Sequence, residues 1–131
     1  MVSVTITTFG YDHGTPAELS DIALDIRRHF FFRGTRQIPD TEQRTGLDPY
    51  IANTVLSAAG VARLVDNTAM VAVGLLADVA DTRARPLKIA VGDDQGVHWS
   101  VAIAEEIARI LVQCGIETEV VHSEIQVPHT P

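Results

Sequence analysis

The spacing of apolar residues along this chain changes several times, and each change marks an element. Val2 to Thr8 alternates β-branched residues at the two-residue period of a strand, then runs into the turn Phe9-Gly10-Tyr11-Asp12-His13-Gly14. Ile22 to Ile26 is a second short apolar run and Glu117 to Ile125 a fourth strand. Leu87 to Val91, the third, is apolar on both faces, as a central parallel strand is. Asp48-Pro49 predicts a helix start: the aspartate caps free N–H groups, and proline at the first helical position loses nothing. That helix should run to about Ala59, with Gly60 ending or bending it. From Val61 onward Leu64, Val65, Thr68, Val71, Ala72, Leu75, Leu76 and Val79 keep a helical period, while Ala69, Met70 and Val73 make the opposite side apolar too. A helix apolar all round lies either in the centre of a core or at a subunit contact. Ser100 to Cys114 carries an inward stripe of Ile103, Ile107, Ile110, Leu111 and Cys114, with Glu105, Glu106, Arg109 and Gln113 outward and Gly115 as its stop.

The alternation of strand and helix in the second half predicts an α/β fold, a mostly parallel sheet of about four strands with helices packed on it. A single domain over residues 1–126 is expected, followed by a flexible tail over 127–131. Ligands in such folds lie beyond the carboxyl ends of the strands. The segments around Tyr11, after Ile26 and after Val91 all follow strands, so parallel pairing would gather them at one edge.

Composition narrows the function classes. At 46% apolar and 21% charged residues, the 131-residue chain matches a soluble globular protein. Its one cysteine, Cys114, cannot form an internal disulfide, and its place in the stripe predicts a packed, inert thiol. The opening Met-Val-Ser-Val-Thr-Ile lacks the basic region of a signal peptide. The longest uncharged run, Asn67 to Ala77, is shorter than the roughly 20 residues that cross a bilayer. A cytoplasmic location is therefore expected. A net charge of −7 weighs against broad attraction to nucleic acid. Arg27, Arg28, Arg33, Arg36 and Arg44 nevertheless place half of the ten basic side chains within 18 residues.

The candidate chemistry lies in Gly92-Asp93-Asp94-Gln95-Gly96-Val97-His98-Trp99-Ser100, between a strand and a helix. Such a turn aims free backbone N–H groups and the positive helix end at one point, which makes an anion site. Here two of its residues are themselves anions. Gly92 and Gly96 would let the backbone approach a ligand closely. Ser100 would cap N–H groups or donate to a phosphate oxygen, and His98 would donate to an anion, act as acid or base, or cap the turn. Asp93 and Asp94 have three readings: solvated turn residues bonded to their own backbone, acceptors for the hydroxyls or amine of a sugar-like ligand, or holders of Mg²⁺. The spacing matches the phosphate cradle of cysteine phosphatases, but Asp93 stands at the cysteine position and Trp99 at the arginine position. With neither thiolate nor guanidinium clamp, that chemistry is excluded. Arg27 and Arg44 would neutralise the carboxylates, or else pair with surface acids. His13, His29 and His122 show no metal-site spacing, so no metal or other cofactor is expected, and His122 reads as a packed histidine.

Thr8-Phe9-Gly10-Tyr11, Leu24-Asp25-Ile26-Arg27, Arg44-Thr45-Gly46-Leu47-Asp48, Ile89-Ala90-Val91-Gly92 and Gly96-Val97-His98-Trp99-Ser100 through Glu105 occur in an order that resembles the C-terminal domain of the RNase adapter RapZ family, from about Val4 to Glu124. The resemblance implies an α/β module that self-associates. In the best-known members it senses glucosamine-6-phosphate and contributes to small-RNA binding. It also implies a pocket built from Asp25, Arg27, Arg44 and the loop Gly92 to Ser100, which includes Asp93, Asp94, Gln95, Gly96 and His98. The family loop reads Gly-Cys-Thr-Gly-Gly-x-His-Arg-Ser; here Asp93, Asp94, Gln95 and Trp99 replace cysteine, threonine, glycine and arginine. Each lost charged hydrogen bond to phosphate would cost about 1.5 to 3 kcal/mol. The full-length family also carries a P-loop domain; no Gly-x-x-x-x-Gly-Lys-Ser/Thr occurs in these residues, so ATP binding through a Walker loop is not expected of them.

The expected function is a non-catalytic module that binds a small sugar-phosphate-like, otherwise anionic or hydroxyl-rich metabolite and acts as a regulatory adaptor, working as a homodimer or higher homo-oligomer. An RNA- or protein-binding adaptor without a small ligand is the alternative, with the Arg27 to Arg44 stretch as its contact. A weak phosphate-ester hydrolase using His98 with Asp93 or Asp94 is the second alternative, though nothing supplies an activated nucleophile.

Overall fold

A computed structural model describes residues 2–16, 19–28, 44–78 and 85–125. The expected tail over 127–131 and positions 29 to 43 of the arginine-rich stretch lie outside these residues. Strands β1 (Val4–Gly10), β2 (Ile22–Asp25), β3 (Leu87–Asp93) and β4 (Thr118–His122) form one sheet in the order β2-β3-β1-β4. All the pairings are parallel, with Val4 opposite both Leu87 and Thr118, and Ile22 opposite Ile89. The α/β expectation holds. β1 and β3 run two residues further than their apolar runs, and β4 is shorter than Glu117 to Ile125.

Register assigns the faces. Val4, Ile6, Leu87, Ile89, Val91, Ile22, Leu24 and Val120 share one face and bury against helix α3 (Trp99–Gln113). Fully burying each such aliphatic side chain is worth about 1.5 to 3 kcal/mol. The other face carries Thr5, Thr7, Ala23, Lys88, Glu119 and Val121, and is more polar and more exposed.

Helix α1 (Pro49–Leu56) starts as the sequence predicts, with the Asp48 carboxylate accepting from the amides of Tyr50 (2.9 Å) and Ile51 (3.4 Å). It ends three residues before Ala59, and the chain turns through Gly60 at φ +93° into α2 (Val61–Asp78), at 89° to α1. No single described helix is long and apolar enough to cross a membrane.

Two expectations about helix faces are corrected. In α2 the buried residues are Val61, Val65, Thr68, Ala69 and Ala72, whereas Val71 and Leu75 are exposed together with Met70. The sequence pattern spread its apolar positions over both sides, and only contact with α3 decides which side is inner. Cys114 is exposed rather than packed, because α3 ends at Gln113 and Cys114 is the residue after its last turn. Ile103, Ile107 and Leu111 do face the core. Ala102, Ala104 and Ala108 are also buried, so α3 lies between the sheet and the pair α1 and α2.

The amino edge of the sheet is closed by an ion pair. Arg85 donates twice to Asp21 at 2.9 Å, and the Lys88 amide donates to the same carboxylate at 2.8 Å. Arg85 is the first cause and the Lys88 amide the second in holding Asp21 down to about 2. Because the folded value lies below that of the unfolded chain, the stabilisation is present above about pH 4 and lost as pH falls toward 2. With a quarter of the Asp21 side chain exposed, solvent screening limits it to about 1 kcal/mol. Urea midpoints of wild type and Asp21→Asn should differ at pH 6 and converge near pH 2. A gap unchanged across that range would disprove the assignment.

Candidate functional site

Parallel pairing carries the ends of β1, β2 and β3 to one edge, and Phe9, Gly92 and Asp25 stand side by side there. The 3-10 turns Tyr11–His13 and Ile26–Arg28 follow β1 and β2, and the loop Asp94–His98 follows β3. The three unusual segments of the sequence therefore do converge.

Asp93 changes the picture most. It is 4% exposed, and its carboxylate accepts hydrogen bonds from the Gly96 amide and, at 3.0 Å, from the Ser100 amide in the first turn of α3. Burial pushes its pKa up, opposed by these two amides. The N-cap position, His98, gives no side-chain cap, so Asp93 caps the helix from five residues upstream. The anion expected at this turn is thus supplied by the chain itself. Asp93 is bonded to its own backbone, as one of its three readings has it, but it is buried rather than solvated, and its inward carboxylate is not placed to bind Mg²⁺ or a sugar hydroxyl. Among the described residues no group of three His, Cys, Asp or Glu side chains could hold a metal ion.

The glycines are also turned inward. A Cβ on Gly92 would strike the Phe9 ring, and one on Gly96 would lie 2.5 Å from the Gly10 nitrogen. The absence of a Cβ at both positions permits β1 to pack closely on the loop. Ser100 Oγ is wholly buried with no hydrogen-bond partner among the described residues, so it donates to no outside group.

Arg27 is where the sequence argument placed it, with a different neighbour. Its Nε and Nη2 donate to both oxygens of Asp25 at 2.9 and 2.8 Å, and its guanidinium lies 3.5 Å from the centre of the Tyr11 ring. Tyr11 in turn packs edge-on against Phe9, centroids 4.7 Å apart. The Arg27 pair holds the Asp25 carboxyl below its usual range, while Asp25 foremost, and nearby Asp94 as a lesser cause, raise the pKa of Arg27. Burial raises the Tyr11 phenol. Tyr11 and Phe9 were not among the sequence candidates. Their signal was present: two aromatics at strand spacing on either side of Gly10.

Arg44 pairs with groups at the start of α1. Its guanidinium lies 3.9 Å from Asp48 and 5.7 Å from the centre of the Tyr50 ring, at the start of α1. Its backbone carbonyl, however, accepts from His98 Nε2 at 2.9 Å, which fixes His98 with the proton on that nitrogen. Gln95 donates to Asp12 at 2.8 Å, and the Asp12 amide donates to the Asp94 carbonyl at 3.0 Å, lacing the β1 and β3 loops together. The solvent side of this edge thus presents Asp94, Asp12, Gln95 and the outer rim of Arg27. Asp12, Asp25 and Asp94 thus gather around the Arg27 guanidinium there, while Asp93 points inward.

His122 proves packed, as expected. Its side chain is 4% exposed and joins the Thr8 hydroxyl (2.8 Å) to Glu105 (2.7 Å), pinning β4 to β1 and α3. A separate groove of about 350 Å³ between α1 and α3, lined by Leu47, Leu56, Glu106 and Arg109 among others, shares no residue with the Tyr11–Arg27 cluster.

Comparison with known proteins agrees with this architecture. The chain is 32% identical over 124 residues to a nucleotide-binding protein of Nocardioides sp., covering 95% of this chain and 40% of that protein. A nucleotide-binding protein of Streptomyces coelicolor is 31% identical over 121 residues (92% and 39%), and one of Corynebacterium glutamicum 32% over 123 (93% and 38%). This chain therefore spans about 40% of the length of these relatives. The family model of the RapZ C-terminal domain matches residues 2–126. The parallel sheet, the strand-to-helix loop with its retained glycines and His98, and this match over nearly the whole length lead to one conclusion: the chain belongs to the RapZ C-terminal domain family.

Proposed function

We propose that this chain is a single, non-catalytic binding module of a regulatory adaptor, which takes a small hydroxyl- or amine-bearing metabolite at the carboxyl edge and works as a homodimer. The observation that carries the reading is the meeting of Asp25, Arg27 and Tyr11 with Asp94, and of Asp12 with Gln95, at the ends of parallel strands. Arg27 is fixed by Asp25 and by the ring beneath it, so its rim is presented without further loss of side-chain freedom. Asp94 and Asp12 accept from hydroxyls or an ammonium group. Gly92, Asp93, Gly96 and Ser100 frame the loop, and Arg44 steadies His98 through its carbonyl.

Of the expected ligand classes, the hydroxyl-rich one is favoured over the phosphorylated one. Asp93 already occupies the amides of Gly96 and Ser100, and the surrounding carboxylates repel a dianion. The relatives' names speak of nucleotides, but this chain matches about 40% of their length and holds no Walker loop. Nucleotide binding is therefore not assigned to it. The excess of acids likewise favours a protein over RNA as the downstream partner. His98 donates to a carbonyl and Asp93 is enclosed, so neither supports the hydrolase alternative.

Melting in the presence of glucosamine, myo-inositol, glucosamine-6-phosphate and inorganic phosphate tests the reading. The unphosphorylated compounds should raise Tm through linkage, and the two phosphates should not. Arg27→Ala should abolish the shift while leaving the protein folded, since the Arg27–Asp25 pair is partly exposed and screened by solvent. Shifts confined to the phosphorylated compounds, or none with any, would refute it.

A further inference from the structure

Helix α2 has a second face that the fold does not use. Arg63, Asn67, Met70, Val71, Gly74 and Asp78 are exposed, and they fall within about 100° of one another on the helix surface, centred about 140° from Val61, Val65, Thr68 and Ala72 in the core. Met70 is 63% and Val71 52% exposed, with Leu75 beside them at 37%. A Cβ added to Gly74 would meet nothing within 4 Å, so another backbone can come close there.

The order of charge and size along this stripe is self-complementary. Arg63 stands at one end and Asp78 at the other, about 22 Å apart, with the apolar pair Met70 and Val71 midway. A second α2 laid antiparallel, with the twofold axis between positions 70 and 71, sets Arg63 against Asp78 twice. It also sets Asn67 against Gly74 and Met70 against Val71. A parallel arrangement would face Arg63 with Arg63 and Asp78 with Asp78. An isologous contact requires one patch to match itself under a twofold axis, and this one does.

We propose that the exposed face of α2 is the docking surface for a second copy of this chain, through an antiparallel α2–α2 contact centred on Met70 and Val71. This rests on the homodimer reading above and adds the face and the register. The carboxyl-edge sites are left open, because none of their residues lies on α2.

Sedimentation velocity over a concentration series tests it with the whole chain. Wild type should be dimeric, and Met70→Glu, exposed and free to fold, should be monomeric with an unchanged far-ultraviolet spectrum. Arg63→Asp and Asp78→Arg should each raise the dimer Kd about tenfold, since a rim attraction becomes a repulsion twice over. The double variant Arg63→Asp/Asp78→Arg should return to within about threefold of wild type, a rescue that only opposition of these positions produces. A dimer indifferent to Met70→Glu would overturn the docking face and leave self-association standing. Loss without rescue in the double variant would overturn the register, and a wild type monomeric at every concentration would overturn both.

Discussion

Asp93→Ala should destabilise the protein by about 2 to 4 kcal/mol and, unlike wild type, should regain part of that loss in phosphate. The carboxylate is 4% exposed and takes the amides of Gly96 and Ser100. Alanine leaves both N–H groups without an acceptor inside the fold, at roughly 1 to 3 kcal/mol each, and removes the anion at the positive end of α3. Recovered desolvation of the buried charge offsets part of this, which sets the range. Asp93→Asn keeps one acceptor oxygen and should fall between the two. Vacating the amides also restores the anion site that the strand-to-helix turn would otherwise form. Phosphate at ten times its Kd would then return about 1.4 kcal/mol. Urea unfolding with and without phosphate measures both effects. Equal phosphate dependence in wild type and Asp93→Ala would show that the carboxylate is not what fills the turn.

Gly96→Ala should be comparably severe, at about 3 to 4 kcal/mol, or a fall in Tm of roughly 10 to 20 °C for a domain of this size. Two separate causes add. Gly96 has φ +75°, where an L side chain costs about 1 to 2 kcal/mol. Its new Cβ would also lie 2.5 Å from the Gly10 nitrogen and the Phe9 carbonyl carbon, backbone atoms held in β1 and unable to yield singly. Gly115→Ala separates the causes. At φ +82° it carries the same backbone penalty, but its Cβ would meet nothing within 4 Å, so it should lose only about 1 kcal/mol. Equal losses in the two variants would mean that the close approach of β1 to the loop contributes nothing.

The element order was legible because it depends on local chemistry. The Asp48-Pro49 start acts through its own neighbours, and β-branched runs favour the extended backbone wherever they fall. Convergence of the three loops followed once the strands were taken as parallel. Face assignments in α2 failed because residues 61 to 78 are apolar on more than one side, and periodicity then no longer points inward. Cys114 was misplaced by one step: it continues the stripe in sequence, but the helix ends just before it.

By itself the sequence determined the α/β class, the strand and helix order and the short segments that carry the chemistry, since hydrophobic period and turn residues act over a few positions. Only the tertiary structure decided what those segments do to one another. The partner of Asp93 lies seven residues away at Ser100, that of Arg27 across the sheet edge on Tyr11, and that of His98 on the Arg44 carbonyl. A turn that reads as an empty cradle is closed by its own carboxylate, because which group satisfies a buried amide is settled by packing in three dimensions and not by spacing along the chain.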